Sequence, residues 1–176
     1  MGIRRVRAVA QAVEAPGSAG ERARAALSLR MPNDLLASVH SRAAEAGVFG
    51  AITVGIDRLE AAAADSAAPA FYRVDVGGGE VWVSLVTADR WLSESIEADL
   101  MNSGDKLEEL IEEELVDQGE DAGRVSFEHF RSDDMLFTFR TKIPPAAADD
   151  PQRIARYLLA YEACFRNLGN MSQGKE

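Results

Sequence analysis

The sequence predicts an α+β fold: an antiparallel sheet of two hairpins in the order ββ-αα-ββ-α, with helices on one face, preceded by a mostly helical amino-terminal region. Three observations carry this expectation. Segments 71–87 and 125–143 each contain two runs in which apolar and polar side chains alternate, the period of a half-buried strand. Between and after them, apolar residues recur at three- and four-residue spacing, the period of an amphipathic helix. Finally, composition changes near residue 66. Residues 1–66 hold eight Arg and seven acids, while residues 67–176 hold eleven bases, 22 acids, both tryptophans and all three tyrosines. Ala64 to Ala70 then reads as a linker between a region over 1–66 and an acidic α+β domain over 71–172.

Tyr72, Val74 and Val76, then Val81, Val83 and Leu85, define one face of a first hairpin. Gly77-Gly78-Gly79 between them supplies the positive φ angles of a tight turn. No P-loop lysine and serine follow these glycines, so a hairpin explains them better than a phosphate cradle. Trp91, Leu92, Ile96 and Leu100 form the stripe of the next helix, and Leu107, Leu110, Ile111 and Leu115 that of the one after. Asp105 and Glu108 have the spacing of a capping box. Strands return at Val125–Phe130 and Met135–Ile143, the second ended by Pro144-Pro145. The last helix has Asp150 at its N-cap, Pro151 at N1 and Gly169 past its end, with Ile154, Leu158, Tyr161, Phe165 and Leu168 on one stripe. In the amino-terminal region, Leu27 to Pro32 reads as a short strand. Asn33 is placed to cap a helix to about Ala46 with Leu35, Leu36, Val39 and Ala43 inward. Gly47 stops it, and a second helical run is predicted from Ala51 to Ala64.

Charge narrows the function. Residues 94–121 hold twelve carboxylates against one base, Lys106, while the whole chain carries −10. Apolar residues at helical spacing within that stretch make it a folded acidic surface, unsuited to nucleic acid and suited to a partner with basic patches. Glu109, Glu112 and Glu113 are the partner-binding candidates there; helix spacing splays them too far apart to chelate a cation, and no loop matches an EF-hand. Trp82 lies on the strand face opposite Val81 and Val83. It is a partner anchor if that face is open and core if helices cover it, and buried aromatics favour the core reading.

Catalytic patterns do not emerge. His40 and His129 have no second His or Cys at ligand spacing, so no metal site is expected. The one cysteine, Cys164, falls on the apolar side of a helix and reads as a buried thiol. Neither a nucleophile elbow nor a dinucleotide fingerprint occurs. No enzyme activity and no cofactor is therefore expected. Arg4, Arg5 and Arg7 are followed by no long apolar run, so neither a signal peptide nor a membrane span is expected, and the default location is the cytoplasm.

Two resemblances extend this reading. Leu29-Arg30-Met31-Pro32, followed fifteen residues later by Gly47, resembles the ribbon-helix-helix family over residues 26–64. That resemblance implies a dimer whose paired strands enter the major groove, with Ser28 and Arg30 reading bases. The acidic ββ-αα-ββ-α part resembles, in architecture and charge alone, the small acidic chaperones of type III secretion, which bind partner chains without catalysis. The leading expectation is a non-catalytic, chaperone-like protein-binding domain with an acidic helical face, possible as a homodimer. The alternative is a ribbon-helix-helix transcriptional regulator with an acidic sensor or effector domain.

Overall fold

The hairpin around Gly77–Gly79 forms the middle of a six-stranded sheet. The computed structural model of the chain describes residues 32–173. In chain order its elements are α1 (Pro32–Ala46), β1 (Phe49–Val54), β2 (Arg58–Ala63), β3 (Ala70–Gly77), β4 (Glu80–Thr87), α2 (Arg90–Ser103), α3 (Leu107–Asp117), β5 (Phe127–Arg131), β6 (Phe137–Ile143) and α4 (Pro151–Phe165). The strands lie in the order β1-β2-β3-β4-β6-β5, every neighbouring pair antiparallel. The protein is thus α+β, as its sequence predicts. Among the described residues no helix is long and apolar enough to cross a membrane.

One expected helix is absent. Residues 51–64 belong to the hairpin β1–β2 instead, which extends the sheet by two strands beyond the two predicted hairpins. Alanine-rich composition favours a helix locally, but Leu59 and Ala61 alternate inward and pair with Val74 and Tyr72 of β3. Pairing and burial override intrinsic propensity here. Ala64 to Pro69 therefore connects adjacent strands of one sheet. The second helix implied by the ribbon-helix-helix resemblance is replaced by these strands. Residues 27–31 of the predicted Leu27–Pro32 strand, with the base-reading candidates Ser28 and Arg30, lie outside the described residues, and Pro32 opens α1.

The strand period places alternate side chains on opposite faces. Leu59, Tyr72, Val74, Val83, Leu85, Phe139 and Ile143 point to the helical side and share a core with Leu35, Leu36 and Val39 of α1, Ile111 of α3, and Ile154, Leu158, Tyr161 and Phe165 of α4. Each of the larger apolar side chains contributes roughly 1.5–3 kcal/mol by leaving water. Tyr161 keeps its hydroxyl satisfied in this core by donating to Thr141 Oγ1 at 2.6 Å.

Helix boundaries follow local chemistry with some differences from expectation. Asp150 caps α4 by accepting from Gln152 N at 2.8 Å, with Pro151 opening the helix. Asp89 caps α2 by accepting from Leu92 N at 2.7 Å. The Asp105 capping box does not form: the N-cap of α3 is Lys106 and no side chain caps it. Helix α1 begins at Pro32, so Asn33 sits inside its first turn instead of capping it. β6 starts at Phe137 because Met135 adopts a left-handed turn conformation, φ 64°.

Two tethers hold the acidic helices in place. After α4, the chain passes close against α2, where Gly169 N donates to Asp99 Oδ2 at 2.7 Å and Asn170 N to Ser95 Oγ at 3.0 Å. Past α3, Glu120 is only 3% exposed and bridges Arg153, whose Nε lies at 2.9 Å, and Arg156. The hydrogen bonds from Arg153 lower the Glu120 carboxyl below the usual range, overcoming the opposing effect of burial.

Candidate protein-binding surface

Helices α2 and α3 carry the acidic segment, and the structure divides the predicted glutamate trio. Glu109 and Glu113, one turn apart on α3, are exposed. Glu109 pairs with Lys106 at 2.8 Å, the one base of the segment. Glu112 instead turns toward the loop before β5, where its Oε1 accepts from Val125 N at 2.8 Å. Glu112 thus fixes the chain rather than facing a partner, and this bond also explains why β5 begins at Phe127 and not at Val125. Glu112→Ala is expected to lower stability by about 1–2 kcal/mol through loss of a charge-assisted bond. Thermal unfolding checks this, and an unchanged midpoint would mean the bond contributes nothing.

The charge on α3 is electrostatically unfavourable to the helix itself. Six of its eleven residues are acidic and none is basic. Glu113, Glu114 and Asp117 crowd its carboxyl end, where the helix dipole favours cations. Partial burial, with the neighbouring Asp117 and Glu113, raises the Glu114 carboxyl above its ordinary value. Such a surface gains from a cationic neighbour.

The same two helices also expose large apolar side chains. Trp91 is 76% exposed, Met101 84% and Val116 65%. Trp91 therefore does not belong to the inward stripe of α2, which consists of Leu92, Ser93 and Ile96. Helical geometry contains the signal: at 100° per residue Trp91 stands roughly 140° around the axis from Ile96, whereas Leu92 stands only roughly 40° away. Leu92 and Ile96 alone mark the buried side. Met101 and Val116 could have been found by the same projection.

Trp82 occupies the sheet face turned away from the core. The guanidinium of Arg140 stacks over its ring at 4.2 Å, and over that of Phe130 at 4.7 Å, leaving the indole half-buried. Its Nε1 donates to Glu80 Oε2 at 3.3 Å. Strand register lays a row across this face: Glu60, Arg73, Ser84, Arg140 and Glu128 on five successive strands. Arg73 pairs with Glu60 and Arg140 with Glu128, each at 2.7 Å, while Arg58 pairs with Asp75 and Lys142 with Glu80. Each of these four cations is thus already engaged by a carboxylate. A phosphate there would have to displace a carboxylate. Trp82 and the acidic trio are therefore on separate surfaces.

The remaining reactive side chains are held in structural contacts. His129 stacks on Phe139 at 3.9 Å, donates from Nδ1 to the Thr138 carbonyl at 3.0 Å, and places Nε2 3.0 Å from Glu97 of α2. Burial pushes the Cys164 thiol up to about 12, so it holds its proton at neutral pH. Among the described residues no group of three or more His, Cys, Asp and Glu is placed to hold a metal. No protein-family model, curated protein or solved structure matches this chain.

Proposed function

We propose that this protein is a non-catalytic, chaperone-like protein-binding domain that takes a basic, amphipathic segment of another chain along α2 and α3. The observation that carries this reading is the coincidence, on two helices, of exposed Trp91, Met101 and Val116 with a self-repelling array of carboxylates. Exposed apolar groups supply anchors for a partner's apolar side chains, and the surrounding acids favour basic neighbours and disfavour acidic ones. A single buried thiol suits a reducing compartment such as the cytoplasm.

Affinity for a synthetic basic amphipathic helix tests the reading. Charge reversal of Glu109 and Glu113 to Lys, with Glu112 left in place to hold its loop, is expected to weaken binding at least tenfold. Trp91→Ala is expected to weaken it comparably, and binding should fall as salt rises. Equal affinity for an acidic peptide of the same apolar pattern would overturn the proposal.

A further inference from the structure

Away from that surface, the end of β2, the face of β3, the last turn of α4 and the chain after it enclose a pocket of about 300 Å³. Its walls include apolar Val48 and Met171. Four oxygen-bearing side chains line it as well: Asp65, Tyr72, Glu162 and Ser172. Tyr72 is 1% exposed, and its hydroxyl makes no hydrogen bond within the described residues. The Glu162 side chain is nine-tenths buried and is reached by Arg166 only at 3.3 Å, from a half-exposed position. Burial costs this carboxylate its hydration, and the half-exposed Arg166 offsets that cost only in part. Its carboxyl is accordingly raised above the ordinary value by burial, against the pull of Arg166, with Glu114 and Asp65 adding to the shift.

We infer that this pocket binds a primary ammonium group carried on a short apolar chain, with the Glu162 carboxylate as counter-ion and the Tyr72 hydroxyl as a second acceptor. An ammonium has three donors and no acceptor, which suits a pocket whose polar lining is mostly oxygen. The volume stands at the lower end of small-molecule sites, which range over roughly 300–1,000 Å³, and selects a compact ligand. Apolar walls then hold the alkyl chain. An anion would meet the buried Glu162 carboxylate, with the Arg166 guanidinium already engaged by it. The surplus of acids on the whole chain raises the local concentration of any cation. This site shares no residue with the α2–α3 surface, so its failure and that of the protein-binding reading are distinguishable.

Calorimetric titration of the full chain with n-butylammonium chloride tests the inference, with sodium butyrate and sodium chloride at matched ionic strength as controls. Saturable one-to-one binding of butylammonium alone is expected. Glu162→Gln keeps the side-chain shape and is expected to weaken it at least tenfold. Ala64→Phe, at an exposed position on the pocket wall, is expected to block it sterically. Melting curves of both variants separate lost binding from lost folding. Nα-acetyl-lysine methylamide distinguishes two sources of the same group: tighter binding than butylammonium supports a partner's lysine, and equal or weaker binding supports a free amine. No response of the wild type to butylammonium beyond that to sodium chloride would overturn the inference. So would full affinity in folded Glu162→Gln, or tighter binding of butylguanidinium than of butylammonium.

Discussion

Leu158→Ala is expected to cost about 2–5 kcal/mol, among the largest effects of any single truncation in this chain. Leu158 is fully buried on the side of α4 that meets the sheet, and α4 also packs against α1 and α3. No single neighbour can collapse into the vacated volume without disturbing the others, so most of the cavity should persist. Against a total stability of about 5–15 kcal/mol this is a major loss, lowering the melting midpoint by roughly 4–20 °C. A midpoint unchanged by the substitution would remove α4 from the core.

Gly169→Ala should be nearly as damaging for a different reason. Gly169 has φ 52°, and a Cβ there would stand 2.4 Å from Ser95 Oγ and 2.6 Å from Ile96 N. The backbone of α2 cannot yield as a flexible side chain would. A left-handed conformation adds about 1 kcal/mol for alanine and the overpacking about 1–3 kcal/mol, for a total of about 2–4 kcal/mol. Gly78 provides the control. It has φ 60° but open space around its Cβ position, so Gly78→Ala should cost only the conformational part. Equal melting midpoints for the two variants would show that the close approach to α2 contributes nothing.

Much of the architecture was legible where several local signals agreed. The period of β3 and β4 coincides with their glycine turn, and α4 has a cap, an N1 proline and an apolar stripe that all name the same helix. Segment 51–64 was not legible because its signals conflict. Four successive alanines from Ala61 favour a helix, while the β-branched run Ile52-Thr53-Val54 and the inward alternation of Leu59 and Ala61 favour strands. Only the pairing of β2 with β3, a non-local interaction, decides between them.

The candidate surface was legible in charge and less so in geometry. Composition locates the acidic helices, yet it does not reveal that Glu112 is spent on Val125 N while Glu109 and Glu113 remain outward. That distinction depends on where a loop thirteen residues further along returns. Trp82 similarly has its face set by strand alternation, but its partial cover comes from Arg140 on a strand 58 residues away. Ser28 and Arg30 lie outside the described residues and are placed by neither.

The central proposal, capture of a basic segment by α2 and α3, is tested most directly by residue-resolved NMR titration with a basic amphipathic peptide. The predicted result is a set of shifts centred on Trp91, Met101, Glu109, Glu113 and Val116, with the Trp82 indole signal unmoved. Shifts centred on Trp82 and Arg140, with α2 and α3 unperturbed, would contradict it.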